Sequence, residues 1–227
     1  MTPPIVIAID GPAGAGKSTV ARRLAQRLGL DYVDSGATYR AAALCVVERG
    51  ISVDDESAVV EAVSGAGIGL ATDGTDPRVF LNGRDVTAQI RTPEVTLAAA
   101  RVSRLPALRQ KLVALQRTFA RGRGLVMEGR DIGTVVFPDA PLKVFLRAEP
   151  AERARRRLAQ DSEEGRGATL EQTAAEIDRR DQLDAERKVS PLVAAPDAHE
   201  IDSTHLTTDQ VVDKVVQLAR NKLQIAD

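Results

Sequence analysis

Ile5-Val6-Ile7-Ala8-Ile9-Asp10-Gly11-Pro12-Ala13-Gly14-Ala15-Gly16-Lys17-Ser18-Thr19 is the stretch on which the reading of this chain turns. Its first five residues are unbroken, apolar and mostly β-branched, the pattern of a strand covered on both faces and therefore central in a parallel sheet. From Ser18 to Leu28 the apolar residues Val20, Leu24 and Leu28 fall four apart, with Gly29 just beyond, which predicts an amphipathic helix and its stop. The connection between them, Gly11 to Ser18, satisfies G-x-x-x-x-G-K-[ST] in the strand–loop–helix context that gives the pattern its meaning.

Such a loop binds the phosphates of a nucleoside triphosphate. Glycines let backbone N–H groups curl around the β-phosphate and the helix N-terminus adds positive potential. Lys17 is expected to reach the β- and γ-phosphates, and the Ser18 hydroxyl to face Mg²⁺. Gly11, Pro12, Ala13, Gly14, Ala15, Gly16, Lys17, Ser18 and Thr19 are therefore the expected cradle for ATP.

Outside the loop, composition narrows the field. The 227 residues are 43% hydrophobic and 28% charged, enough to bury a core and unlike a disordered chain. With 31 Lys+Arg against 32 Asp+Glu, global charge gives no reason to expect nucleic acid or an anionic membrane as partner. One cysteine, Cys45, forms no internal disulfide, and two histidines make no metal cluster. The longest apolar run, residues 41–47, is too short to span a bilayer, and the first residues lack the basic segment of a signal peptide. A cytoplasmic location is expected. Six scattered aromatics form no stacking platform, so any base must be read chiefly by hydrogen bonds.

Further apolar runs at residues 30–33, 125–127, 142–146 and, more weakly, 200–201 alternate with helical patterns, as in an α/β fold with a parallel sheet. Residues 66–87 break the rhythm. Short runs at 68–71, 79–81 and 85–87, the last two separated by Asn82-Gly83, predict an antiparallel insertion with a hairpin turn. Thr92-Pro93-Glu94 restarts a helix and Pro106 opens another. After Pro150 a helix carries Arg153, Arg156 and Arg157 into the glycine-broken stretch 162–167, read as a mobile tip, and residues 169–187 and 207–224 read as two more helices. No repeat or linker divides the chain.

A phosphate-binding loop leaves open whether the γ-phosphoryl group goes to water, as in a slowly hydrolysing switch, or to a bound acceptor. The arginines favour an acceptor. Asp34-Ser35-Gly36-Ala37-Thr38-Tyr39-Arg40 and Glu128-Gly129-Arg130-Asp131 both follow buried strands at the ligand-binding edge of the sheet. Arg40 and Arg130 can thus converge opposite the loop, where bidentate guanidinium groups suit a second phosphate carrier. Arg153, Arg156 and Arg157 beside a glycine-containing tip suit a lid that brings cations over a transferring phosphoryl group and excludes water.

These stretches together resemble the bacterial cytidylate kinases, a branch of the nucleoside monophosphate kinases. The residues that carry the likeness are DGPAGAGKST (10–19), DSGATYR (34–40), IRTPEV (90–95), EGRDIGTVVFPDAP (128–141), the R-x-x-R-R helix (153–157) and RRDQLDAERKVSPL (179–192). The resemblance implies a P-loop kinase fold: a five-stranded parallel sheet flanked by helices, an antiparallel inserted lobe for the monophosphate, and an arginine-rich lid. It divides the chain into core (1–34, 107–150, 168–227), monophosphate lobe (35–106) and lid (151–167).

The resemblance also implies the reaction, Mg²⁺-dependent transfer from ATP to CMP or dCMP in pyrimidine metabolism, by a monomer. Carried over by position, Ser35, Arg109 and Asp131 match residues at the cytosine, while Arg40 and Arg130 match those around the acceptor phosphate. Arg180 and Asp184 match the sugar side and Arg187 another arginine of the acceptor pocket, and Tyr39, in the DSGATYR motif, is an expected substrate contact. Lys17, Arg130, Arg153 and Arg157 are the expected catalytic cations, Arg156 a donor-side contact, and Ser18 and Asp34 the Mg²⁺ side. A carboxylate accepts from the cytosine N4 amino group but opposes the O4 of uracil, so Asp131 should favour cytosine. Where the family often has serine near the acceptor sugar, this chain has Ala100. Use of dCMP is expected, with the preferred sugar left open.

Overall fold

The computed structural model describes residues 4–71, 77–120, 124–163, 167–187 and 189–223. Strand β1 (Ile5–Asp10) leads through the glycine loop into α1 (Lys17–Leu28), which ends where Gly29 takes a left-handed conformation and its N–H bonds back to Ala25 and Gln26. Strand β2 (Asp31–Asp34) follows and runs directly into α2 (Ser35–Glu48). The inserted lobe then comprises α3 (Glu56–Ser64), a sheet of β3 (Ile68–Ala71), β4 (Arg78–Leu81) and β5 (Arg84–Asp85), and helices α4 (Pro93–Val102) and α5 (Pro106–Arg117). The chain returns to the main sheet as β6 (Gly124–Gly129) and β7 (Leu142–Arg147), continues through α6 (Pro150–Glu163) and α7 (Leu170–Ala185), and closes with β8 (His199–Asp202) and α8 (Thr208–Leu223).

The main sheet has five parallel strands in the order β2-β6-β1-β7-β8. β1 lies at its centre, with Ile7, Ala8 and Ile9 wholly buried, as the uninterrupted apolar run requires. One face of the sheet packs on α1 and α8 through residues such as Leu24, Val211 and Val215, and the other gathers Val6, Ala8, Leu125 and Met127 with Ile132 and Val136. A third apolar cluster, built on α2, joins it to α4, α5 and the small sheet. Because all five strands are parallel, their carboxyl ends share one edge, and β1, β2 and β6 deliver Gly11, Ser35 and Arg130 there together.

The insertion is antiparallel, and Asn82 and Gly83 turn it with φ of 53° and 78°, the two positive values of a type I′ hairpin. Asn82 Oδ1 also accepts from the Gly67 N–H at 2.8 Å. The third strand comes earlier than the expected 85–87, because Thr87 satisfies the ladder with its side chain: Oγ1 accepts from the Val79 N–H at 3.0 Å.

Three elements were not expected, the smallest a 3-10 turn at Gln89–Arg91. α3 is capped by Asp55, whose carboxylate accepts from the Ala58 N–H, and residues Ile132–Val136 form a π-helical turn after β6. The expected mobile tip falls largely on residues 164–166, outside those described. After it, α7 opens with a Thr169/Gln172 capping box. No described helix is long and apolar enough to cross a membrane.

Candidate active site

A cleft of about 1280 Å³ opens along the carboxyl edge of the main sheet. It is lined by Ala13 to Thr19 at one end, by Ser35, Tyr39, Arg40, Arg109 and Asp131 at the other, and by Arg156, Arg157, Arg180, Asp184 and Arg187 along the side formed by α6, α7 and the segment after α7. The sequence motifs, spread over most of the chain, therefore meet in one place.

The loop end is tightly built. At Gly14, φ is +75° and a Cβ would stand 2.8 Å from the Arg153 carbonyl oxygen and 2.9 Å from its Cβ, so helix α6 can approach only because no side chain is there. Lys17 is buried and donates to the Pro12 carbonyl at 2.7 Å. Burial first, and then the Arg130 charge, push its ammonium down to about 7. A phosphate chain in the loop would restore the charge.

Behind the loop stands a pair of acids. Asp34 and Glu128 are register partners on β2 and β6. Glu128 accepts from Tyr32 Oη at 2.8 Å, interacts with the Ser18 side chain, and is pushed above the usual carboxylate range by burial and by the neighbouring Asp34 charge. Asp34 is held below that range despite burial, chiefly by the Arg40 guanidinium, which donates to it at 2.5 Å. Among the described residues no three His, Cys, Asp or Glu side chains form a self-sufficient metal cage. Two carboxylates and a hydroxyl, all hard oxygen donors and one of them short of positive charge, fit a Mg²⁺ ion that completes its shell with phosphate and water.

At the acceptor end, Arg109 on α5 is almost wholly buried and donates to Asp131 Oδ2 at 2.5 Å and to the Ser103 carbonyl at 3.0 Å. Its guanidinium carbon lies 5.3 Å from the centre of the Tyr39 ring. The Tyr39 hydroxyl and Arg109 Nε are both sealed from solvent without a well-formed hydrogen bond, and the two side chains interact with each other. Ser35 Oγ lies where a Cβ on Gly129 would stand, 2.5 Å away, so that glycine makes room for the serine at the mouth of the pocket. Arg130 Nε donates to Asp184 Oδ2 at 2.8 Å, and Arg187 pairs with the other oxygen of the same carboxylate. Arg180, on α7, is lowered to about 10 by burial and the Arg130 charge. Ala100 lines this end, and one helical turn on the Ser103 hydroxyl accepts from Arg187 Nη2 at 3.2 Å.

The arginine helix is not uniform. Arg156 is bonded to Glu152 and to Ser203, with Nη1 3.7 Å from where a Cβ of Gly16 would stand, so it lies over the phosphate loop. Arg157 pairs with Asp161 and lines the cleft. Arg153, expected as a lid cation over the phosphoryl group, does not line it. Its Nε donates to the Ala148 carbonyl at 3.2 Å, and its Nη1 to the Ala13 carbonyl at 3.1 Å and to Asp181, so the residue fastens the loop from behind. Gly11 and Pro12 are likewise absent from the cleft wall.

Three acids at the site were not singled out from the sequence: Asp10, Glu128 and Asp181. Asp10 accepts from the Ile132 and Gly133 N–H groups at 2.8 and 2.7 Å and so ties the turn carrying Arg130 and Asp131 to the end of β1; burial raises it to about 6 against the pull of those N–H groups. The available signal was a carboxylate ending an otherwise apolar strand, as in Ile9-Asp10 and Met127-Glu128.

Residues 7–221 match the sequence profile of cytidylate kinase. The chain belongs to the cytidylate kinase family. It is 46% identical over 219 residues to the cytidylate kinase of Geobacillus sp. strain WCH70, covering 96% of this chain and 98% of that one. It is also 46% identical over all 227 residues to the cytidylate kinase of Mycobacterium avium strain 104, with both chains covered in full. A bifunctional pantoate ligase/cytidylate kinase from Synechococcus sp. strain JA-2-3B'a(2-13) is 48% identical over 222 residues, 41% of its own length. Family membership assigns this chain to the nucleoside monophosphate kinases, with ATP as phosphoryl donor.

Proposed function

We propose that this member of the family transfers the γ-phosphoryl group of ATP to CMP or dCMP, giving ADP and CDP or dCDP for pyrimidine metabolism. The observation that supports it most is the buried Arg109–Asp131 pair beneath Tyr39, at the end of the cleft remote from the phosphate loop. Asp131 offers carboxylate oxygens to the N4 amino group, and the Arg109 guanidinium paired with it is a donor suited to the O2/N3 edge. Uracil would set its O4 against the carboxylate, a mispairing that costs on the order of 10²-fold or more.

In this reading Ser35, Tyr39, Arg109 and Asp131 hold the base, Arg40 and Arg130 the acceptor phosphate, and Arg180, Asp184 and Arg187 the sugar and its surroundings. The backbone of residues 11–19 holds the triphosphate, with Arg156 on the donor side. The acceptor is already an anion whose nonbridging oxygen attacks, so no strong general base is needed, and the enzyme aligns and neutralises. Lys17, Arg130 and Arg157 supply that neutralisation; Arg153 contributes by holding the loop. Ser18, Asp34 and Glu128 would hold Mg²⁺, which when bound neutralises charge on the β- and γ-phosphates. This reading includes the division into core, monophosphate lobe and lid that the sequence suggested, and action as a monomer.

The test is steady-state kcat/KM for CMP, dCMP, UMP and AMP with Mg-ATP. CMP should exceed UMP by about 10²-fold, dCMP should turn over, and ADP release should require the acceptor. UMP or AMP at or above CMP overturns the base assignment, and undetectable dCMP turnover the sugar reading.

A further inference from the structure

Helix α7 faces two ways. Arg180 and Asp184 look into the acceptor end of the cleft, while Asp181, next to Arg180, reaches the phosphate loop: its Oδ1 accepts from the Ala13 N–H at 3.0 Å and its Oδ2 from Arg153. Arg153 in turn donates to the Ala13 carbonyl at 3.1 Å. Both backbone polar groups of Ala13, in the crown of the loop, are thus fixed by one ion pair between α6 and α7. That pair is mostly shielded from solvent, with side-chain exposures of 8% for Arg153 and 18% for Asp181, where screening is weak. α6 also packs on Gly14 too closely for any side chain to intervene.

On the reading of the cleft proposed above, we infer that Asp181 is a positioning residue that couples the acceptor site to the donor site. A monophosphate held by Arg180 and Asp184 fixes α7; α7 fixes Asp181; and Asp181, with Arg153, sets the backbone of Ala13 for the incoming triphosphate. The acceptor therefore tightens donor binding, and by linkage the donor tightens acceptor binding by the same factor. The contacts are built into the empty enzyme, so what an acceptor adds is the restriction of α7 rather than a new bond.

The experiment is calorimetric titration of a non-hydrolysable ATP analogue with Mg²⁺, with and without a saturating monophosphate. The monophosphate is whichever gives the highest kcat/KM in the panel above, so a wrong base assignment leaves this test intact. In the wild type its presence should lower the analogue's Kd by at least about fivefold. In Asp181→Asn, which keeps the side-chain shape and removes the charge that holds Arg153, that factor should fall to within about twofold of one, with Kd for the monophosphate alone nearly unchanged. If that variant does not melt cooperatively, Arg153→Lys is read in the same way, since it keeps a cation beside Asp181 but lacks the fork that also holds the Ala13 carbonyl. A merely structural contact would weaken both ligands alike and leave the factor untouched. A wild-type factor of one, or one retained in the variant, overturns the inference.

Discussion

Lys17 and Asp131 show how far single side chains decide the chemistry. The Lys17 ammonium has the phosphate loop as its scaffold and no carboxylate as its direct hydrogen-bond partner, so Lys17→Met should lower kcat by about 10³-fold while the melting temperature holds. Kinetics and a thermal melt on the same sample check both halves. Its lowered pKa, about 7, also fixes a proton balance. Lowered this far, the amine is partly neutral in the empty enzyme near pH 7.5, and a polyphosphate favours the charged form, so ATP binding should take up a proton. The uptake should fade as pH drops below about 6, where Lys17 is already protonated. Calorimetry in buffers of different ionisation enthalpy reads it, and its loss in Lys17→Met assigns it to this group. At the base, Asp131→Asn should narrow the preference for CMP over UMP, because an amide presents a donor as well as an acceptor; a ratio of kcat/KM values unchanged from wild type would relocate base recognition. That Lys17, Arg40 and Arg130 meet in one cleft was legible in the sequence because each follows a glycine or a buried strand. Arg153 was read as a lid cation from its spacing along a helix beside a glycine-containing tip, and that spacing does not show that its Nε and Nη1 bond Ala13, Ala148 and Asp181.

Elements were legible where local chemistry was strong. The glycine loop, the Asn82-Gly83 hairpin and the Thr92-Pro93 helix start each carry a conformational preference that tertiary structure did not override. α3 was missed because Glu56–Ser64 is short and reads as little more than a capped alanine–valine run, and the Ile132–Val136 turn because its shape depends on Asp10, more than a hundred residues away. The hairpin offers a test confined to its own lobe. Asn82→Ala places alanine at φ 53° and orphans the Gly67 N–H, a loss of about 2 kcal/mol. The melting temperature should fall by about 4–8 °C, while KM for ATP stays near wild type because β4 and β5 stand apart from the phosphate loop. At the other lobe, hydrogen exchange in the described part of α6 and α7 should slow when donor and acceptor analogues bind together. Unchanged exchange there would remove these helices from any closing motion.

Across the whole molecule, the sheet order β2-β6-β1-β7-β8 is what brings motifs from residues 11, 34, 128 and 180 to one edge, and the alternation of strands and helices was enough to anticipate a parallel sheet but not the order in which its strands pair. The same convergence sorts charge. Of the described residues lining the cleft, eleven are Lys or Arg and six are Asp or Glu, whereas the chain as a whole carries a net charge of -1. The remainder of the molecule is therefore acidic, and the protein is an electric dipole whose positive pole is the mouth of its own cleft. Anionic nucleotides should be steered toward that pole and turned from the rest of the surface, so their association rate should fall several-fold between dilute buffer and about 0.5 M salt. An isoelectric point near 6.2 would suggest that a cation exchanger ignores this protein at neutral pH; a phosphocellulose matrix, meeting the cleft first, should retain it and release it to free nucleotide.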